Sequence, residues 1–228
     1  MPYSMWKKRT SRRRRTKMAK RKKNITEAKG TILLVTATRA EAIYFNQMRK
    51  DCRYMNLTVE WAGSDNLDLK HLIDVTSRKK LAGRYQFVWA LFGLDEVKAD
   101  IAEVKEMQEY AERKKINLCW FNPCFELWFA LHLGALNAYV SDAQVIRERV
   151  KGAIKGFEMT PEYLLTGGLN LHLQLFSRHA TADLNARNYN DNVKIQTGLE
   201  ATTMPLFDEC IQNVCGQADM SHNQKAFK

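Results

Sequence analysis

No apolar run in this 228-residue chain approaches the roughly 20 residues that cross a bilayer. The chain is therefore expected to stay out of membranes. Its first 23 residues contain no acid and none of the apolar core that a secretory signal carries, which points to a cytoplasmic protein. Cysteines are few and odd in number, five in all, as suits reduced thiols better than a disulfide framework. Cys119 with Cys124, and Cys210 with Cys215, come near the short ligand pairs of zinc sites. Cys210 and Cys215 would, however, stand about 140° apart on a helix, and Cys119 falls in a strand-like run, so zinc is not favoured. There is no internal repeat. No lysine accompanies Gly167-Gly168 to make a phosphate loop, and that pair reads as a turn.

What the chain does have is an uneven charge. The formal total is +11, from 36 basic and 25 acidic side chains. Residues 1–23 carry Lys7, Lys8, Arg9, Arg12, Arg13, Arg14, Arg15, Lys17, Lys20, Arg21, Lys22 and Lys23. Subtracting those 12 leaves 24 basic against 25 acidic side chains, a net of −1 for the rest. The excess belongs to an arm, not to a domain. Such a run cannot bury apolar surface and is expected to be disordered alone. It would hold phosphates by counterion release without reading sequence, and Trp6 within it offers one ring for stacking on a base. A solubilising arm with no specific partner would look the same. The chain thus divides into a basic arm over 1–26, one domain over 27–220 and a frayed tail over 221–228.

Within the domain, strand and helix patterns alternate. Apolar runs at 31–35, 87–92 and 116–121 lack alternation, as strands covered on both faces do, while 57–61 alternates. Helical periodicity occupies 40–52, a stretch opened by Asp65 or Asn66 and broken at Gly83, and 97–115, the clearest amphipathic segment. The order predicts an α/β fold, a mainly parallel sheet with helices on both faces. Further helices are expected at 142–155, after the Thr160-Pro161 start, across 169–187 and at 204–215. The second half is therefore a helical cover.

One stretch departs from this regular pattern: Phe121-Asn-Pro-Cys-Phe-Glu-Leu-Trp-Phe-Ala-Leu-His-Leu133. Asn122 has the chemistry of a helix cap, and Pro123 suits the first helical position. The helix that follows is apolar nearly all round and should be buried, with Glu126 one turn inside it. A carboxylate there requires a cation, a metal or donors. The plain reading is a Glu held by an Arg or by backbone amides; the sharper one is an active-site acid.

In open parallel sheets, ligands gather outside the C-terminal strand ends. Three such places here carry acid: Glu41 after the first strand, Asp95 and Glu96 after the third, Glu126 after the fourth. Carboxylates from separate strand ends suit a hard cation such as Mg2+, or Mn2+, and such a site can serve phosphodiester cleavage. Three unrelated surface acids would give the same pattern. Trp61, Trp89, Trp120 and Trp128 fall in apolar elements and read as core. His172 and His179, seven apart on one expected helix, share a face but stand two turns apart, too far for one metal.

The thirteen residues from Phe121 to Leu133 resemble the signature of the RloB-like proteins, in which Asn-Pro-Cys-Phe-Glu-Leu-Trp precedes a Leu-rich, His-containing turn. The basic N-terminus, the first strand, Glu41-Ala-Ile-Tyr-Phe45 and the 88–96 segment fall in that family's order, and the likeness covers about 31–133. It implies a Toprim-like fold, as in nucleases, topoisomerases and primases. It further implies a setting near restriction and phage-defence genes, often beside an ATPase. In Toprim chemistry a first-strand Glu acts as general acid/base and an Asp pair holds Mg2+.

The departures are specific. The family's Glu-Gly pair after the first strand reads Ala37-Thr38 here, and its Thr-Glu pair reads Ala40-Glu41. Its Asp-x-Asp-Glu reads Gly93-Leu94-Asp95-Glu96. Two functions stay open. One is a Mg2+-dependent nuclease with Glu41, Glu126 and His132 as catalytic candidates, and Asp95, Glu96 and Glu126 as metal ligands. The other is a catalytically degenerate fold that binds nucleic acid and docks on an ATPase or on a second copy of itself. A ribosome-associated or RNA-binding basic protein is a third, disfavoured by the near-neutral domain. Nucleic acid would be held by the arm and by Arg39, and His132 could donate to a carboxylate or phosphate, or be only a satisfied core residue.

Overall fold

The structure, a computed structural model, describes residues 30–221. The expected arm, with every basic residue from Lys7 to Lys23 and Trp6, and all of the expected tail but Ser221 lie outside these residues. Four strands, β1 (Ile32–Thr36), β2 (Leu57–Trp61), β3 (Phe87–Gly93) and β4 (Asn117–Phe121), form one wholly parallel sheet in the order β2-β1-β3-β4. Three helices connect them: α1 (Arg39–Asp51), α2 (Leu69–Leu81) and α3 (Ile101–Arg113). Six more follow: α4 (Leu127–Leu133), α5 (Ala143–Ala153), α6 (Pro161–Leu164), α7 (Leu171–Phe176), α8 (His179–Thr197) and α9 (Met204–Cys215). No helix among the described residues is long and apolar enough to cross a membrane.

The continuous apolar strands are explained by two cores. Ile32, Leu34, Trp89, Leu91, Cys119 and Phe121 face α1, α4, α8 and α9, whereas Leu33, Val35, Val88, Ala90, Phe92, Leu118 and Trp120 face α2 and α3. Successive residues of a strand point to opposite faces, so a strand covered on both sides shows no polar alternation. The edge of β4 is closed by the turn before α9. Asn122 N–H donates to Ala201 O at 2.8 Å, Trp120 N–H donates to Thr203 Oγ1 at 3.2 Å, and Thr203 Oγ1 donates to Leu118 O at 2.9 Å. An unpaired strand edge is thereby covered.

Several boundaries differ from the sequence expectation. The helix after Phe121 does not begin at Asn122 and Pro123 but at Leu127, and the Asn122–Pro123 bond is cis. The backbone of 122–123 is engaged elsewhere: besides the bond to Ala201, Pro123 O accepts from Asp95 N–H at 3.0 Å. Glu126 is consequently at the N-cap of α4, not one turn inside it. Helix α2 starts two or three residues late, because Asp68, not Asp65 or Asn66, caps it by accepting from His71 N–H. Asp100 does the same for α3, so 97–99 lies ahead of the helix. The single helix expected over 169–187 is two, α7 and α8, which puts His172 and His179 on different elements. The Thr160–Pro161 start and the last helix stand where periodicity placed them.

Candidate active site

The strand order reverses between β1 and β3, since α1 leads away to β2 and α2 returns across β1. The crevice outside the C-terminal ends of those two strands is where open α/β sheets take ligands. Here the loop after β1 delivers Glu41, the turn after β3 delivers Asp95 and Glu96, and the segment after β4 delivers Glu126. Three of these acids, Glu41, Glu96 and Glu126, line one cleft of about 450 Å³ together with Arg147 and others. Asp95 is tied to the group through Arg147, whose Nη2 donates to Asp95 Oδ2.

Glu41 is fixed by a motif that reading it only as an acid missed. Thr38 caps α1 and accepts from Glu41 N–H, while Glu41 Oε2 accepts from Thr38 N–H at 2.8 Å, a reciprocal capping box. The Thr-x-x-Glu spacing was visible in the chain. Glu41 Oε1 has no partner. Burial pushes its carboxyl up to about 8 against the lowering effect of the Thr38 bonds.

Glu96 is held in a different way. Its carboxylate lies in the space that a side chain at Gly93 would fill, since a Cβ there would come within 1.6 Å of Glu96 Oε2 and 2.8 Å of Phe125 N. Where the resembling pattern has an Asp at this position, this chain has folded another acid into the gap. Burial, then the charges of Glu41 and Asp95, raises the Glu96 carboxyl well above its ordinary value. Gly93→Ala is expected to destabilise the protein by about 1–3 kcal/mol, because Glu96 can rotate away but the Phe125 backbone cannot. Urea denaturation measures this, and an unchanged midpoint would show that the segment around Phe125 yields.

Arg147 was not anticipated. Helix 142–155 read as a surface helix, and a charge on such a helix ordinarily faces water. The signal available was position: Arg147 sits beside Ile146 and one turn before Val150, the two buried residues of α5. Its Nε donates to Glu126 Oε1 at 3.0 Å, and Nη2 stands 3.8 Å from Glu96 Oε1. The cation that Glu126 required is this guanidinium. One charge is nevertheless opposed to four carboxyl groups. Glu41 Oε1 and Glu126 Oε2 are buried without a partner, and the raised Glu96 carboxyl is left to share its proton with Asp95.

These orphaned oxygens are hard donors of the kind that Mg2+ or Mn2+ takes, commonly through one or two carboxylates with water completing the shell. The donor chemistry fits such an ion. As they stand, no three acid, His or Cys side chains among the described residues converge closely enough to hold a metal, and the guanidinium of Arg147 lies between the acids. A hydrated ion held by two carboxylates remains compatible with this arrangement.

His132 does not join the group. It lies in the last turn of α4 with its Nδ1–H donating to Trp128 O at 2.8 Å, and its ring packs on Trp128 and near His179. Burial lowers its basicity to about 4, so it is neutral near pH 7 and engaged with the backbone. His179 pairs with buried Asp208 at 3.0 Å, and His172 Nδ1 is 3.8 Å from Asp51. Arg39 is exposed in the first turn of α1, near the cleft wall at Thr38 and Ala40, with its N–H given to Asp65 at 2.8 Å. The further lining includes Asp65, Glu158, Glu162 and Lys151. With Glu41, Glu96, Glu126 and Arg147 these make six acids against two bases; even with Glu41 and Glu96 holding their protons the balance is negative, so an anion entering alone would be repelled.

Among known families, the one described as RloB-like protein matches residues 32–208, most of the chain. No curated protein and no solved structure matches it.

Proposed function

The chain belongs to the RloB-like protein family, and from that premise we propose that it is a metal-dependent phosphodiesterase acting on nucleic acid, of Toprim type, in a restriction-associated or anti-phage system. The observation that carries this reading is the set of four acids from three strand ends, Glu41 and Glu126 buried and Asp95 and Glu96 half-buried, with Glu41 Oε1 and Glu126 Oε2 lacking any partner. A folded domain gains no stability from such a group, since unpaired buried carboxyls cost free energy. A function accounts for their retention.

Asp95, Glu96 and Glu126 are the acids proposed to hold a divalent ion, with Glu96 and Glu126 lining the cleft. A bound ion would stabilise the charge on a phosphoryl oxygen and lower the pKa of a water. Glu41, whose carboxyl ionises near pH 8, is suited to deliver a proton to a leaving oxygen and to recover it, because a general acid works best near the operating pH. Its capping bond fixes its orientation. The basic arm supplies the attraction for nucleic acid that the acidic cleft lacks, and Arg39 near the cleft wall is proposed to meet the backbone.

The test is cleavage of single- and double-stranded DNA and RNA with Mg2+ or Mn2+. Glu126→Gln and Asp95→Asn are each expected to lower the rate roughly 100-fold or more, on the scale of losing one electrostatic stabiliser of a transition state. Absence of metal-dependent cleavage, or equal rates in wild type and both variants, would falsify the nuclease reading.

A second reading is favoured by one specific observation: Ala37 and Gly93 stand where the family pattern has acids, and Arg147 spans the acids that remain. On that reading the chain is a nucleic-acid-binding partner of an ATPase without catalysis of its own. It predicts salt-sensitive binding that disappears when residues 1–23 are removed, in a protein that cleaves nothing.

A further inference from the structure

We propose that Arg147 is a resident cation that keeps the place of the divalent ion, so that loading the metal requires the guanidinium to leave; this rests on the metal reading above. Helix α5 is anchored by Ile146 and Val150, which are buried, and this fixes where the Arg147 side chain starts. Its fork bridges two acids that arrive from different strands, Asp95 through Nη2 and Glu126 through Nε, and Nη2 also faces Glu96.

Guanidinium and metal ask for the same carboxylate oxygens, and neither tolerates the other's charge at contact distance. Occupancy is therefore exclusive. Arg147 is the occupant that the chain supplies for itself, which lets buried Glu126 and half-buried Asp95 and Glu96 sit together before any ion arrives. Its side chain is 31% exposed and lines the cleft, so the guanidinium already borders solvent. The guanidinium satisfies only part of the cluster, because Glu41 Oε1 and Glu126 Oε2 stay without partners and Glu96 lies against Asp95. A doubly charged ion with its waters can satisfy more of them, and that difference drives the exchange.

The experiment uses the full chain and Mn2+ alone as probe, with free Mn2+ followed by electron paramagnetic resonance. Arg147→Met is expected to bind Mn2+ at least tenfold more tightly than wild type, and Arg147→Lys to fall between, since a point ammonium cannot bridge the acids as a planar fork does. Should Arg147→Met fail to fold, the Lys variant and wild type decide the matter. In wild type labelled with 15N, the Arg147 Nε–H resonance is expected to move toward that of a solvent-exposed arginine as diamagnetic Mg2+ saturates the site. Equal Mn2+ affinity in all folded proteins, or an unmoved resonance at saturation, overturns the exchange and leaves the metal reading standing. No binding in any of them removes the metal reading, and the exchange with it.

Discussion

Glu41→Gln is expected to stabilise the metal-free protein by up to about 4 kcal/mol at pH 8 and by almost nothing at pH 4. The sign follows from where the proton goes. In the folded protein Glu41 keeps its proton until about pH 8, whereas the ordinary value is 4.5. Below the ordinary value both folded and unfolded chains are protonated, and the group's contribution to folding is fully present. As pH rises the unfolded chain ionises first, so that contribution falls continuously and is gone once the folded carboxyl also ionises. Glutamine retains the bond to Thr38 N–H, because its amide oxygen serves the capping box as the carboxylate does. What it removes is the ionisation. Urea denaturation of wild type and variant in chelator, at intervals from pH 4 to pH 8, should give curves that coincide at the acid end and diverge steadily. Parallel curves would mean that Glu41 ionises as an ordinary surface acid, and would remove the reason for giving it the proton-transfer role.

Phe125→Ala is expected to cost about 3–5 kcal/mol, a large part of the stability of a domain this size. Phe125 is fully buried and its ring meets Tyr44, Phe45, Phe121 and Phe129 at centroid distances of 5.8, 5.8, 5.0 and 5.3 Å. These partners come from α1, β4 and α4, so collapse around the cavity would have to move three elements together. Phe125→Leu leaves most of the volume filled and should lose much less. A loss below about 1 kcal/mol for the alanine variant would show that the cluster repacks. The residue also borders the acids: its N–H approaches Glu96 Oε1 at 3.5 Å and the next residue is Glu126. Loosening this ring is thus expected to weaken Mn2+ binding in Phe125→Ala even under conditions where the variant is fully folded.

The sheet was legible because its strands are buried on both faces, which writes them as unbroken apolar runs. The places where reading failed share one cause, a partner distant in the chain. Asn122-Pro123 has the chemistry of a helix start, yet its backbone bonds go to Ala201 and Asp95, neither of which local sequence can indicate. The division between α7 and α8 falls at Ser177 and Arg178, with neither Gly nor Pro to mark it. Three of the four acids were recognised by position at strand ends and by the helix around Glu126; Glu96 came with Asp95 as its neighbour. What the sequence could not show was that Glu96 occupies the vacancy at Gly93, or that an arginine from a helix read as solvent-facing would bridge Asp95 and Glu126.

The order of the chain has a consequence for how this protein comes into being. Synthesis proceeds from the N-terminus, so Glu41, Asp95, Glu96 and Glu126 all emerge before Arg147 does. For that interval the nascent sheet holds the negative charges without the group that reconciles them. The Ala201–Thr203 turn that seals the β4 edge comes later still. The acids must then stay hydrated or protonated, or borrow an ion, until α5 arrives. Assembly of the cleft is accordingly a late event, and a chain cut short before α5 would carry all four acids of the site and lack the residue that lets them sit together.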